Sequence, residues 1–145
     1  MPADLLPLLA LVNRYYTEWD IWQQDSEADV RKALEEPSQL GYWLAEIDGT
    51  ATGCVLCKPL PGIDNAVECK RLFVAPEFRG HGLAAQLMDA AESAAAQSGA
   101  VWMYLDTKQE FAAAIALYRR RGYEDCPRYN DNAQATIFLR KRLIV

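Results

Sequence analysis

Arg79-Gly80-His81-Gly82-Leu83-Ala84-Ala85 stands between the apolar run Leu72-Phe73-Val74 and an alanine-rich segment of helical character. Two glycines one residue apart let a chain turn tightly and bring bare backbone close to a ligand. The first N–H groups of a helix have no partner inside it, and the helix dipole favours an anion there. A plain tight turn feeding a helix is one account of the stretch. The order strand, glycine turn, helix start favours a pyrophosphate site instead.

The flanks supply that order. Residues 66–74 form a strand pattern ended by Pro76, and residues 82–98 a helix with inner stripe Leu83, Leu87, Ala91 and Ala94, closed by Gly99. Residues 101–106 are again strand-like, so this strand–helix–strand unit is a parallel pair with a right-handed crossover. Upstream, residues 42–48 and 50–60 are two strands joined at Asp48-Gly49, a hairpin signal. Downstream come a helix at 111–121, closed by Gly122, and a last strand at 135–140. Near the N-terminus, Asp4 caps a helix to about residue 16 with Leu5, Leu8, Leu9 and Val12 on one face. Ser26 starts a second helix, stopped by Pro37. The predicted fold class is α/β (α+β): a mixed, largely antiparallel sheet flanked by helices, with one parallel strand–helix–strand unit.

The chain has 145 residues, enough for one domain, taken as 1–145. Its 51% hydrophobic and 24% charged residues exclude disorder and low-complexity sequence. The net charge of −5 argues against general nucleic-acid binding, which needs a basic face. No apolar run reaches 18 residues, and Met1-Pro2-Ala3-Asp4 carries no basic leader, so neither a membrane span nor a secretory signal is expected. Four cysteines stand at 54, 57, 69 and 126. Cys54 and Cys57 fall in a strand, where positions three apart face opposite sides. With His81 the only histidine, no metal site is expected. Small buried thiols in a reducing, cytoplasmic compartment are the preferred account.

Two phosphate-binding motifs fit the glycine turn. Gly80-x-Gly82-x-x-Ala85, with Asp106 some 20 residues on, matches the dinucleotide fingerprint. A Rossmann sheet, however, needs several parallel strands and a second mononucleotide half. Arg79-x-x-Gly82-x-Ala84, following Leu72-Phe73-Val74-x-Pro76, resembles the GNAT superfamily of acyl-CoA-dependent N-acetyltransferases. The likeness continues through Leu105-Asp106-Thr107 and Ala114-x-x-Leu117-Tyr118-x-x-x-Gly122-Tyr123. It is strong over residues 66–123 and extends more loosely over 42–142.

The resemblance implies acetyl-CoA as co-substrate, with its pyrophosphate on the turn Arg79, Gly80, His81, Gly82, Leu83, Ala84 and Ala85. It implies a pantetheine arm paired with the backbone of Leu72, Phe73 and Val74. Tyr118 matches the family's general acid. Glu68, eleven residues before Arg79, matches the base of the histone-acetyltransferase branch, against the bland alternative of an ion pair with Lys70 or Arg71. Asp106, twelve residues before Tyr118, matches the base of the ribosomal-protein acetyltransferases. Two departures stand out: Phe111 replaces a frequent asparagine, and Ala85 a frequent basic residue. His81 reads as a solvent-facing loop residue. The implied activity is acetyl transfer, by direct attack in a ternary complex, to a primary amine of a small molecule or peptide, without nucleic acid, membrane or metal. A homodimer is compatible with it. Tyr15, Tyr16, Trp19 and Trp22 are candidates for the acceptor wall, bordered by Tyr129 and Asn130. A non-catalytic acyl-CoA binder and a small Rossmann-type nucleotide-binding domain are the alternatives.

Overall fold

The computed structural model describes Pro7, Ala10, Leu11 and Arg14, all helical, and residues 41–143. The second expected helix and the aromatic residues 15, 16, 19 and 22 lie outside the described residues. The elements are β1 (Gly41–Ile47), β2 (Thr50–Pro59), β3 (Ala66–Val74), α1 (Leu83–Gln97), β4 (Trp102–Thr107), α2 (Ala112–Arg120), β5 (Glu124–Asp125) and β6 (Ile137–Arg142). They build one six-stranded sheet in the order β1-β2-β3-β4-β6-β5. Only β3 and β4 run parallel among these strands; the other neighbours are antiparallel. A Rossmann arrangement is thereby excluded, because its parallel halves are absent from this sheet. No described helix is long and apolar enough to cross a membrane.

Local chemistry explains the elements. Asp48 and Gly49 both take positive φ, 50° and 80°, the backbone hand of a tight hairpin turn between β1 and β2. On α1 the buried positions are Leu87, Met88, Ala91, Glu92 and Ala95. The inner stripe thus passes through Ala95 rather than the expected Ala94, one step round the helix. Ala91 and Ala95 are fully buried, and such short side chains let a helix lie close on a sheet. Gly53 of β2 serves the same close approach: a Cβ there would stand 2.9 Å from the Phe73 carbonyl oxygen and 3.1 Å from Leu87.

Strand β3 carries a bulge. Cys54 faces Phe73 across the ladder while Leu56 faces Lys70, so β3 holds one extra residue. Arg71 absorbs it with φ 57°. A bulge shifts the side-chain alternation by one. Val67 and Cys69 before it, and Leu72 and Val74 after it, all join the core under α1. Phe73 is left to the opposite face, with Leu11, Cys54 and Ala75.

One polar cluster ties the α1 side together. Glu92 accepts from Arg121 at 3.0 and 3.2 Å, from the Tyr123 hydroxyl at 2.9 Å and from Lys141 at 2.8 Å. Arg121 also reaches Asp89 at 2.6 Å. The chain just after α2 and strand β6 are thereby fastened to α1. A buried carboxylate persists only when its partners are this complete.

The cysteines sit as their alternation predicts. Cys57 packs in the core under α1 and Cys54 in the cluster on the other face. All four are free, and no metal-binding group of three or more ligands occurs among the described residues. Burial pushes the Cys54 and Cys57 thiols up to about 12, and Cys69 is raised well above its usual value for the same reason. Since the thiolate is the reactive form, an aromatic disulfide reagent at pH 8 should titrate one thiol in the native protein, the half-buried Cys126. All four should react once the chain is unfolded in guanidinium. Fast reaction of a second thiol in the native protein would contradict this packing.

Candidate active site

The parallel pairing of β3 and β4 is short. It comprises Ala66↔Trp102, Val67↔Met103 and Glu68↔Tyr104, and then stops. Beyond Glu68, β3 stays with β2 as far as Val74. Meanwhile β4 stays with β6 along its whole length. The sheet therefore splits, and from Cys69 to Val74 one edge of β3 has no strand beside it among the described residues. A cavity of about 920 Å³ occupies the split. Its walls are the β3 segment 69–74, the glycine turn, the end of β4 and the inner face of α2.

The turn offers backbone. Gly80 and Gly82 have φ of 88° and 76°, in the left-handed region. Among the described residues, no atom lies within 4 Å of where a Cβ would sit on either. Gly82 caps α1 without a side-chain hydrogen bond, and the first bond at this helix start is Gln86 N–H to the Gly82 carbonyl. The N–H groups of Leu83, Ala84 and Ala85 precede it and have no acceptor inside the helix. Arg79 folds back on β3: its Nε donates to the Val74 carbonyl at 2.8 Å, and its guanidinium lies 5.5 Å from the centre of the Phe73 ring.

Leu72, Phe73, Val74, Arg79, Gly80, Gly82, Leu83, Ala84 and Ala85 all line the cavity, as do Asp106 and Tyr118. His81 is exposed and does not line it. Phe111 gives the wall an apolar ring where the resemblance implied an amide.

Tyr118 is buried, with its ring edge-on to Tyr123 at 5.8 Å. Its hydroxyl has no hydrogen-bond partner among the described residues. Burial, then the nearby Cys69 and Asp106, push its pKa far above the ordinary phenol value. It stays protonated at any physiological pH.

Glu68 is 2% exposed and sits behind the wall rather than on it. Its Oε2 accepts from the Tyr129 hydroxyl at 2.8 Å and from Asn130 Nδ2 at 3.0 Å. Lys70 lies 3.5 Å and Lys58 3.9 Å away. Asn130 Nδ2 also donates to Asp106 Oδ2 at 2.6 Å. Both carboxylates singled out from sequence thus belong to one hydrogen-bonded group, with Asp106 facing the cavity. The strand pattern could not show that Tyr129 and Asn130 are its donors, because they come from an irregular loop. The bulge at Arg71 did leave a trace, a slip of apolar alternation between Cys69 and Leu72.

A split sheet, a bare glycine turn at a helix start and a buried phenol on one cavity point to one kind of protein. The model of the acetyltransferase (GNAT) family matches residues 6–123. An uncharacterised N-acetyltransferase of Schizosaccharomyces pombe is 28% identical across 97% of this chain and 89% of its own. A GNAT-family acetyltransferase of Staphylococcus aureus shares the fold at a TM-score of 0.84 and 17% identity, covering 99% of this chain and 96% of its own. An N-acetyltransferase of Thermoplasma acidophilum, solved in complex with coenzyme A, superposes at a TM-score of 0.72 and 18% identity, covering 96% and 92% of the two chains. With the family pattern running through β3, the glycine turn, α1 and α2, the chain belongs to the acetyltransferase (GNAT) family.

Proposed function

We propose that this chain transfers an acetyl group from acetyl-CoA to a primary amine by direct attack within a ternary complex. The observation that carries the proposal is the parting of β3 from β4 over a cavity that reaches from the glycine turn to Tyr118 and Asp106. The residues fit the co-substrate. Bare backbone at Gly80 and Gly82, followed by the uncapped first turn of α1, suits a pyrophosphate. The free edge of β3 at 72–74 suits an amide-bearing arm that pairs as an added strand. The cavity is also in the upper range for ligand pockets, roughly 300–1,000 Å³.

The co-substrate supplies the activated acyl carbon; this chain supplies the proton traffic. Asp106, on the wall, takes a proton from the attacking amine as the N–C bond forms. Glu68 stands behind it and shares its donor. Tyr118 gives its proton to the departing sulfur as the C–S bond breaks. A phenol with raised pKa is a weak acid, yet it remains protonated until the basic thiolate appears. Buried cysteines need not act as nucleophiles, since their thiols are held protonated. Free cysteines also support a reducing compartment such as the cytoplasm. The acceptor we favour is a small amine or an amino-acid-like molecule, because two carboxylates on one face favour an approaching cation.

A hundredfold excess of acetyl-CoA over its Kd should raise the melting temperature by about 5–10 °C, and NAD should not. Gly82→Val should fold with a somewhat lower melting temperature and lose the acetyl-CoA shift. A shift with NAD alone would overturn the proposal.

Tyr118→Phe should keep the acetyl-CoA shift and lower kcat by about 10²-fold. Asp106→Asn should lower turnover more than Glu68→Gln, most at neutral pH where amines are protonated. Thiol release from acetyl-CoA with a panel of polyamines, amino acids, aminoglycosides and short peptides measures both. Unchanged turnover in Tyr118→Phe would return that ring to a packing role. Acetyl-CoA binding without turnover on any amine would favour a non-catalytic binder.

A further inference from the structure

We propose that Asn130 is a positioning residue that holds Asp106 and Glu68 together as one two-carboxylate unit where the acceptor loses its proton. The inference rests on the acyltransfer reading above and adds a residue that the family motifs do not carry.

Asn130 belongs to the irregular chain between β5 and β6, and that chain is fastened at many points. Arg128 donates to three of its carbonyls: Asn130 at 3.4 Å, Asn132 at 2.9 Å and Ala135 at 3.3 Å. The same guanidinium lies 4.5 Å from the centre of the Phe138 ring. Tyr129 stands edge-on to Tyr104 and Phe138, at 5.0 and 5.7 Å. Asn130 Oδ1 accepts from the Asn132 N–H at 3.1 Å. That bond orients the amide, because the oxygen is committed to a donor. Both hydrogens of Nδ2 are then left for acceptors, and they meet Glu68 at 3.0 Å and Asp106 at 2.6 Å.

The location gives the contact its meaning. Glu68 pairs with Tyr104, the last rung before the strands part, and Asp106 lies two residues further on the same face of β4. Among the described residues, Asn130 is the only hydrogen-bond donor to the Asp106 carboxylate; Lys70 lies 4.0 Å away as its ion-pair partner. Lys58 from β2, Lys70 from β3 and Tyr129 from the loop stand beside the pair, while Cys69 from β3 and Tyr118 from α2, buried in the core under α1, feel its charge from the other side. The two carboxylates reach the same Nδ2, at 3.0 and 2.6 Å, so removing it leaves two like charges side by side without their shared donor. One amide serves both, so it couples them and fixes the oxygen that faces the cavity.

Two substitutions separate donor loss from loop disruption. Asn130→Ala removes the amide entirely. Asn130→Asp keeps an oxygen for the Asn132 N–H but removes both donor hydrogens. Side-chain carboxyl titration followed by carbon-13 NMR on the intact protein reads the outcome without any acceptor. The highest carboxyl midpoint should rise by about one pH unit or more in Asn130→Ala and further in Asn130→Asp. Adding Glu68→Gln to Asn130→Ala should bring it back down, since the like charge is gone. Midpoints unchanged in both single variants would overturn the proposal, even if the melting temperature fell. In the thiol-release assay with spermidine, lysine, kanamycin and an alanine-terminated tripeptide, Asn130→Ala should lower kcat about tenfold with the KM for acetyl-CoA unchanged. A titration shift without turnover on any acceptor in the wild type would keep the coupling and sink the acyltransfer reading. Turnover lowered only through KM for acetyl-CoA would sink the positioning role.

Discussion

Strands β3 and β4 share three backbone pairs and then separate, each continuing along its other neighbour. On its other edge β3 keeps its ladder with β2 to Val74, and the Ala75 N–H continues it to the Thr52 carbonyl at 2.8 Å. β4 likewise keeps six consecutive rungs with β6 on its other edge. The split leaves strand backbone bordering a cavity instead of a neighbouring strand. The open edge faces the start of α1 and the buried phenol of Tyr118, so free strand backbone, glycine turn and phenol share one opening.

The bulge at Arg71 reconciles the open edge with the core. Without the extra residue, the alternation would carry Arg71 and Phe73 into the core under α1 and turn Leu72 and Val74 away. With it, apolar side chains stay against α1, while the backbone of the same segment borders the cavity. Core packing and the cavity wall then draw on different atoms of the same residues. The cluster at Glu92 has the complementary role, fixing α1 to the chain after α2 and to β6, so the two helices that bound the cavity keep their spacing.

Most of this was legible from local pattern. The Asp48-Gly49 turn, the helix closed at Gly99 and the parallel crossover depend on near neighbours, and each stands close to its expected bounds. The glycine turn was legible because backbone freedom is written in residue type. The slip between Cys69 and Leu72 was there to be read, but a bulge shows only when the register with β2 is known. The link between Glu68 and Asp106 was not legible. Each carboxylate had its own motif spacing, whereas the amide joining them comes from a loop whose path depends on Arg128 finding three carbonyls. Side-chain geometry of that sort has no period in sequence.

Amide hydrogen exchange with and without acetyl-CoA tests the central claim most directly, because it reads the backbone that the split leaves open. The account predicts slowed exchange at Leu72, Phe73 and Val74 and at the first turn of α1, with little change along β6, whose bonds are already made. Protection confined to other segments, or none at 72–74 under saturating acetyl-CoA, would contradict it.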